Sequence, residues 1–475
     1  MSDAAPVLAA GELAAAHRAP PFPCAVQLDG GARLDLLRPL RVLPGKRIVG
    51  EGLWNGRQVL AKLFVAAGSA RHWRRECDGL AALTAATIPT TPILAAGTLA
   101  GGGHYLLTAF LPEAHSLADE LRADAATVRA WLLAACTGIG RLHAHGLTHG
   151  DLHPGNFLID VGEPLIIDGD AVRRHTAPLP EADAADNFAY FLAELPPGMA
   201  LEALIDAYRA GDPRRNPSLS LAALRPRIEK HRRARLLDYL RKTVRPCTLF
   251  EVQHNAHRFT AVGRADADAL APLIADPDRA MAAGDLLKDG NTATVVRVDV
   301  DGRALAVKRY NLKGATHALS RAWRPSRAWH SWREGHRLRF LGLETPMPRA
   351  LIEERLGPLR RRAWLIADYH RGRNLAEHLA PHIDAAAPPP AESEALLRFF
   401  DALTAHRLGH GDLKATNLLW DDARGIVVID LDAMTQYTSA ATYAHVWRRD
   451  RARLLANWPA GSGLHRWLDE HLPRG

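Results

Sequence analysis

Two short stretches of apolar alternation, far apart in the chain, share one shape. Residues 54–63 read WNGRQVLAKL and residues 300–309 read VDGRALAVKR. In each, apolar strand positions follow an Asn-Gly or Asp-Gly pair (Asn55-Gly56, Asp301-Gly302), which predicts a hairpin with a two-residue turn. Further on, Thr127–His143 and Ser393–Ala405 repeat apolar residues at helical spacing and predict amphipathic helices. A loop follows each, then a short apolar strand ending in Ile-Asp: IIDGD at 166–170 and VIDLD at 428–432. The basic run from His231 through Thr243 is helix-patterned, and Thr248–Ala261 alternates. Gly79–Pro112 contains no Asp, Glu, Lys or Arg, yet Pro89, Pro92, Gly97 and Gly101–Gly103 break it. It predicts buried strands and turns, because a spanning helix needs about 20 continuous apolar residues.

The order of these elements repeats. Lys62 and Lys308 lie 246 positions apart, and at that offset Leu43-Pro44-Gly45-Lys46 faces Asp289-Gly290-Asn291-Thr292. HGDLHPGN (149–156) answers HGDLKATN (410–417) in the same order. A period this long is a duplicated domain, since solenoid repeats are far shorter. The join is expected in the basic helix, giving domains 1–238 and 239–475, each large enough for its own core. Strands first and helices later in each half predict an α+β class with two lobes per half.

Composition narrows the classes. Of 475 residues, 47% are hydrophobic and 24% charged, which excludes a mainly disordered chain. Four well-separated cysteines (Cys24, Cys77, Cys136, Cys247) exclude a disulfide framework and a zinc ribbon and suit a reducing cytosol. Asp3 and Glu12 stand where a signal peptide needs positive charge, so a soluble protein is expected, with any membrane contact peripheral. The net charge of +8 favours anionic partners such as nucleotides, nucleic acid or an anionic membrane.

The repeated polar residues suggest chemistry. One lysine ending an apolar strand is usually an edge charge, but Lys62 and Lys308 recur at one offset and read as phosphate ligands. Glu76, in Trp73-Arg74-Arg75-Glu76, and Glu334, in Trp332-Arg333-Glu334, read as helix carboxylates pairing with those lysines. Asp151 and Asn156 are five apart, as are Asp412 and Asn417; Asp168 and Asp430 follow 17 and 18 residues after the first aspartates. Phosphoryl transfer needs a carboxylate to take a hydroxyl proton and oxygens to hold magnesium on the phosphates, and these triplets supply both.

On these motifs both halves resemble the protein-kinase-like fold: strand lysine, helix glutamate, H-G-D-x-x-x-x-N, then a metal aspartate. Thr91-Pro92 and Thr345-Pro346, Ile-Asp-x-Asp, and Asp450-Arg451-x-Arg453-Leu454-Leu455 point more narrowly to the lipopolysaccharide core kinases, the Kdo and heptose kinase family. The resemblance covers nearly the whole chain, twice, and implies two tandem bilobal protein-kinase-like domains using ATP and Mg²⁺. It implies Asp151 and Asp412 as catalytic bases, with Lys414 near the γ-phosphate where the first half has His153. Lys62, Glu76 and Gly45, and Lys308, Glu334, Gly290 and Asn291, would bind nucleotide; Asn156, Asp168, Asn417 and Asp430 would bind metal. His149 and His410 would pack the loop, and Asp186 and Asp450 would anchor it from a helix start. Neither half has a full G-x-G-x-x-G loop, and Gly150 and Gly411 stand where an arginine would clamp a phosphorylated activation loop.

The implied acceptor is an anionic glycolipid, the lipopolysaccharide core, met at the cytoplasmic face of the inner membrane. The Arg- and Trp-rich stretch Arg321–Arg333, present only in the second half, is a candidate surface for it, or else a helix packed on its own lobe. Nucleic acid is not expected as a partner. Two other readings remain open on sequence: a small-molecule kinase of aminoglycoside or choline type, and a pseudokinase scaffold.

Overall fold

The computed structural model describes residues 5–123, 127–160, 162–196, 198–212, 219–311, 325–357 and 359–474. The chain divides into two compact units, Met1–Arg233 and Ala234–Gly475. Both mix helix and sheet, an α+β class.

The first unit opens on a six-stranded antiparallel sheet in the order Cys24–Gln27, Arg33–Leu43, Arg47–Trp54, Arg57–Phe64, His104–Ala109, Ile93–Thr98. Asn55 and Gly56 both have positive φ, 51° and 74°, the conformation a two-residue hairpin turn requires. Val59, Ala61, Leu63 and Leu107 fill one face of the sheet, so Leu60 and Lys62 point to the other. The helix Ala70–Ala85 packs beside that second face, burying Glu76, Gly79, Leu80 and Leu83. It ends in a left-handed cap: Thr87 has φ 55°, its N–H bonds the Thr84 carbonyl at 3.0 Å, and that of Ile88 the Leu83 carbonyl at 3.0 Å. Helices follow. Val128–Ala144 buries Leu132, Ala135, Cys136, Ile139 and Leu142 at helical spacing, against Phe157 and the Phe188 and Phe191 of helix Glu181–Ala193.

The second unit repeats the plan with a seven-stranded sheet, and its central hairpin joins Ala293–Val300 to Arg303–Tyr310. Asp301 and Gly302 have φ 50° and 77°. The alternating stretch after residue 248 is two strands, Phe250–His254 and Arg258–Gly263, turned at Asn255. Helix Arg327–Phe340 ends in the same cap, with Gly342 at φ 76° and the Leu343 N–H on the Leu338 carbonyl at 2.9 Å. Helices Pro390–Ala405 and Ala440–Leu455 close a core of Leu396, Phe399, Phe400, Leu403, Trp447 and Leu454. The uncharged stretch 79–112 forms the last turns of a helix and two strands of the first sheet. Among the described residues no helix is long and apolar enough to cross a membrane. All four cysteines are free.

Candidate active site

In the first unit the strand places Lys62 beside the helix. Its ammonium donates to Glu76, a fully buried carboxylate, and stands 3.9 Å from Asp168. Glu76 also accepts the backbone N–H groups of Gly169 (3.2 Å) and Asp170 (3.1 Å). The contact is close because both elements use glycine: a Cβ on Gly79 would lie 2.0 Å from the Gly169 carbonyl oxygen, and one on Gly169 would lie 2.2 Å from that of Glu76.

The loops after the second helices are built alike. Asn156 donates to the Asp151 carbonyl at 2.7 Å, and Asn417 to that of Asp412 at 2.9 Å. The His149 ring donates to the carbonyls of Ile167 (3.0 Å) and Asp168 (3.1 Å), and the His410 ring to that of Ile429 (3.1 Å). Burial pushes the His149 pKa down, which keeps it neutral. Asp168 and Asp430 sit at φ 72° and 59°, the left-handed region that few non-glycine residues hold, and both units share it at this position. Burial, the largest single influence, opposes ionisation of both, but Lys62 with Glu76 and Arg47, and Lys308 with Lys288, together hold these carboxyls below the usual range. His153, 3.5 Å from Asp151, is the main cause holding the Asp151 carboxyl low.

Oxygen donors suit magnesium. Asp168 Oδ1 is buried with no hydrogen-bond partner, and Asn417 and Asp430 line one cavity, so the donor sets fit a hard cation that keeps water and phosphate ligands. Among the described residues no three His, Cys, Asp or Glu side chains cluster as an all-protein metal site.

That cavity, about 460 Å³, is bounded by Lys308, Asn417 and Asp430 at one end and by Ala293, Ala306 and Tyr369 elsewhere. The turn carrying Gly290 and Asn291 lies at its rim, between strands Asp285–Asp289 and Ala293–Val300. The first unit differs on the matching face. Arg47 pairs with Phe64 as Ala293 pairs with Tyr310, and Leu60 precedes Lys62 as Ala306 precedes Lys308. Arg47 reaches within 3.9 Å of Glu76. A cavity of about 420 Å³ there is bounded by Lys46, Arg47, Phe64, His72 and Asp170 and does not include Lys62 or Asp168. Gly45, at φ 65°, sits in the turn beside it.

Three sequence assignments need correction. Glu334 does not meet Lys308. It is buried against Arg337, at 2.7 and 3.3 Å, while Lys308 donates to Asp430 (2.6 Å) and Asp432 (2.9 Å). The helix caps give the true register: Thr87 matches Gly342 and Leu83 matches Leu338, so Ser331 occupies the position of Glu76. Asp186 is not the loop anchor. It is half exposed, near His231 (3.1 Å) and Lys230 (3.7 Å), and its neighbour Asn187 donates to the His149 carbonyl at 2.9 Å. Asp450 does anchor its loop, accepting from the N–H groups of His410 (2.7 Å) and Gly411 (3.0 Å), but from within a helix and not at its start. In the Arg- and Trp-rich stretch, Arg321, Trp323 and Arg324 lie outside the described residues. Trp332 is fully buried and donates to the Thr243 carbonyl at 3.2 Å, and Trp329 packs under Arg360 and against Phe259. The described tryptophans are therefore packing residues.

Several neighbours escaped the sequence reading. Lys288 lines the second unit's cavity. Arg453 donates to Asp412 Oδ1 at 2.7 Å and to the Gly411 carbonyl at 3.1 Å, and Lys414 lies 3.1 Å from the same carboxylate. The repeated Ile-Asp-x-Asp already contained Asp432, and Arg453 stood in a motif quoted only for family likeness.

A strand lysine, an Asp–Asn loop and an aspartate at positive φ around one cleft match the set of groups kinases use for phosphoryl transfer. The model of the lipopolysaccharide kinase (Kdo/WaaP) family matches residues 57–188 and 278–449. The chain belongs to that family, matched once in each half. No curated protein matches the sequence.

Proposed function

We propose that this protein is an ATP- and Mg²⁺-dependent kinase of lipopolysaccharide core, built as two tandem bilobal kinase-like domains joined near residue 238. It works at the cytoplasmic face of the inner membrane through peripheral contact with its glycolipid acceptor. The observation that carries this reading is the cavity joining Lys308, Asn417 and Asp430, whose Asn417 donates to the Asp412 carbonyl. Bound magnesium would neutralise phosphate charge. Asn417 and Asp430 hold it, Lys308 holds the nucleotide phosphates, and Lys414 faces the γ-phosphate. Asp412 takes the proton of a sugar hydroxyl as its oxygen bonds the γ-phosphorus and the bond to ADP breaks.

The second unit does the faster chemistry. Its roof residues are Ala293 and Ala306, whereas the first unit sets Arg47 and Leu60 on the same face. A lysine beside the transferring group also adds preorganised charge that His153 lacks when neutral. Phosphorus NMR of core oligosaccharide, from cells making the wild type, Asp412→Asn or Asp151→Asn, tests this. Loss of base function costs about 10²–10⁴ in rate. Core phosphate lost in Asp412→Asn and kept in Asp151→Asn is the expected result, and the reverse pattern refutes the assignment of the two units. A core unchanged when the gene is deleted refutes the function.

A further inference from the structure

A phosphate-binding lysine needs a partner to hold its ammonium in place, and in the second unit the helix supplies none. Ser331 occupies the position that Glu76 has in the first unit, and Glu334 is turned to Arg337. Asp430 touches Lys308, but the proposed metal would compete for its oxygens. The remaining carboxylate is Asp432. Its Oδ1 accepts from Lys308 Nζ (2.9 Å), Tyr310 Oη (2.7 Å) and Ser331 Oγ (2.9 Å). Tyr310 Oη also lies 3.2 Å from Ser331 Oγ, and Lys308 lies 4.9 Å from the centre of the tyrosine ring.

The first unit shows the alternative wiring. There Glu76 takes the lysine, and Asp170, which matches Asp432, is instead held by Arg75 (3.0 Å) and His72 (3.0 Å). Phe64 stands where Tyr310 stands, without a hydroxyl. So two substitutions and one change of partner go together: serine for the helix glutamate, tyrosine for phenylalanine, and the shared aspartate turned from an arginine to the lysine.

We propose that Asp432, braced by Tyr310 and Ser331, is the positioning residue for Lys308 in the second unit, replacing the helix glutamate. This rests on the reading of that unit as the nucleotide site. With Asp430 committed to metal, the Asp432 carboxylate keeps the ammonium aimed at the phosphates, and its two hydroxyl donors keep it from following the lysine.

The test uses the full-length chain carrying Asp151→Asn, with Mg-ATP as probe, following binding by calorimetry and ATP turnover by phosphate release. Asp432→Asn should raise the KM for Mg-ATP roughly tenfold or more, since a lost charged contact costs of that order. Adding Ser331→Glu, which returns a carboxylate to the Glu76 position, should recover most of that loss. An unchanged KM in Asp432→Asn overturns the proposal, and so does a folded double variant that recovers nothing, since a merely structural aspartate would not be rescued from the helix. If Asp432→Asn does not fold, Tyr310→Phe carries the test: a several-fold rise in KM supports the brace and an unchanged KM overturns it. Absence of Mg-ATP binding in the parent chain defeats the nucleotide reading itself, and this proposal with it.

Discussion

Asp450 offers a perturbation whose size follows from the structure. It is 3% exposed, and one oxygen accepts two backbone N–H groups, from His410 at 2.7 Å and Gly411 at 3.0 Å. Hydrogen bonds to a charged group contribute about 1.5–3 kcal/mol each. Asp450→Ala removes the acceptor from both. The His410 N–H is then buried without a partner, while Gly411 is exposed enough for water to replace the lost bond. We expect a loss of about 2–4 kcal/mol. Asp450→Asn is a different experiment, because the first unit already fills this place with Asn187, which serves His149 through both ends of its amide, at 2.9 and 3.4 Å. An amide oxygen can still accept both N–H groups and forfeits only the charge assistance, about half of the bond strength. A loss of about 1–2 kcal/mol is expected. Urea unfolding of the second-unit transition measures both variants, and Mg-ATP turnover should fall in step with the alanine variant, since the loop it loosens carries Asp412. If Asp450→Ala costs under about 1 kcal/mol, or Asp450→Asn costs as much as alanine, the anchoring argument fails.

Arg453→Ser should lower kcat about tenfold with little change in the KM for ATP, because the guanidinium holds Asp412 and not the nucleotide; steady-state kinetics check the split. Glu334→Gln should leave the KM for ATP unchanged while lowering the melting temperature, since its partner is Arg337. Burial among Tyr239, Phe250 and Trp332, aided by the charge of Arg349, pushes His336 from 6.5 down to about 3. The unfolded chain therefore binds a proton that the folded chain refuses between those values. This contribution is complete above pH 6.5 and declines as pH falls, at up to about 1.4 kcal/mol per unit. Urea midpoints at pH 7 and pH 5 should differ less in His336→Phe than in the wild type.

Features that depend on local chemistry were legible in the chain. The Asn55-Gly56 and Asp301-Gly302 turns, the lysines two residues from the strand ends and the HGD loops all keep their spacing because nothing inserts between their parts. The helix glutamate of the second unit was misread because residues inserted before that helix hide its register. Matching Trp-Arg-Glu by letters shifts the helix by three residues, about 4.5 Å along its axis, and so assigns Glu334 the place that Ser331 holds. The helix end held the better signal. Thr87 and Gly342 both adopt positive φ, and Thr90 and Thr345 donate to the Ile166 and Val428 carbonyls, at 2.6 and 2.8 Å, in the strands before Asp168 and Asp430. Asp186 does not reach the loop, and its neighbour Asn187 does. What the place requires is an acceptor for the loop N–H, which the Asn187 amide supplies in the first unit and the Asp450 carboxylate in the second.

The bare-backbone contact between Gly79 and Gly169 has a consequence for control. In protein kinases the helix bearing the glutamate can swing away, breaking the lysine pair to switch the enzyme off. Here the helix lies directly on the turn after Asp168, with no side chain between to act as a bearing. Glu76 is held from that turn by two N–H groups as well as by the lysine. Any outward swing would strip all three donors from a fully buried carboxylate at once, a cost of several kcal/mol with no compensating contact. The first unit therefore has no inexpensive inactive form of this type.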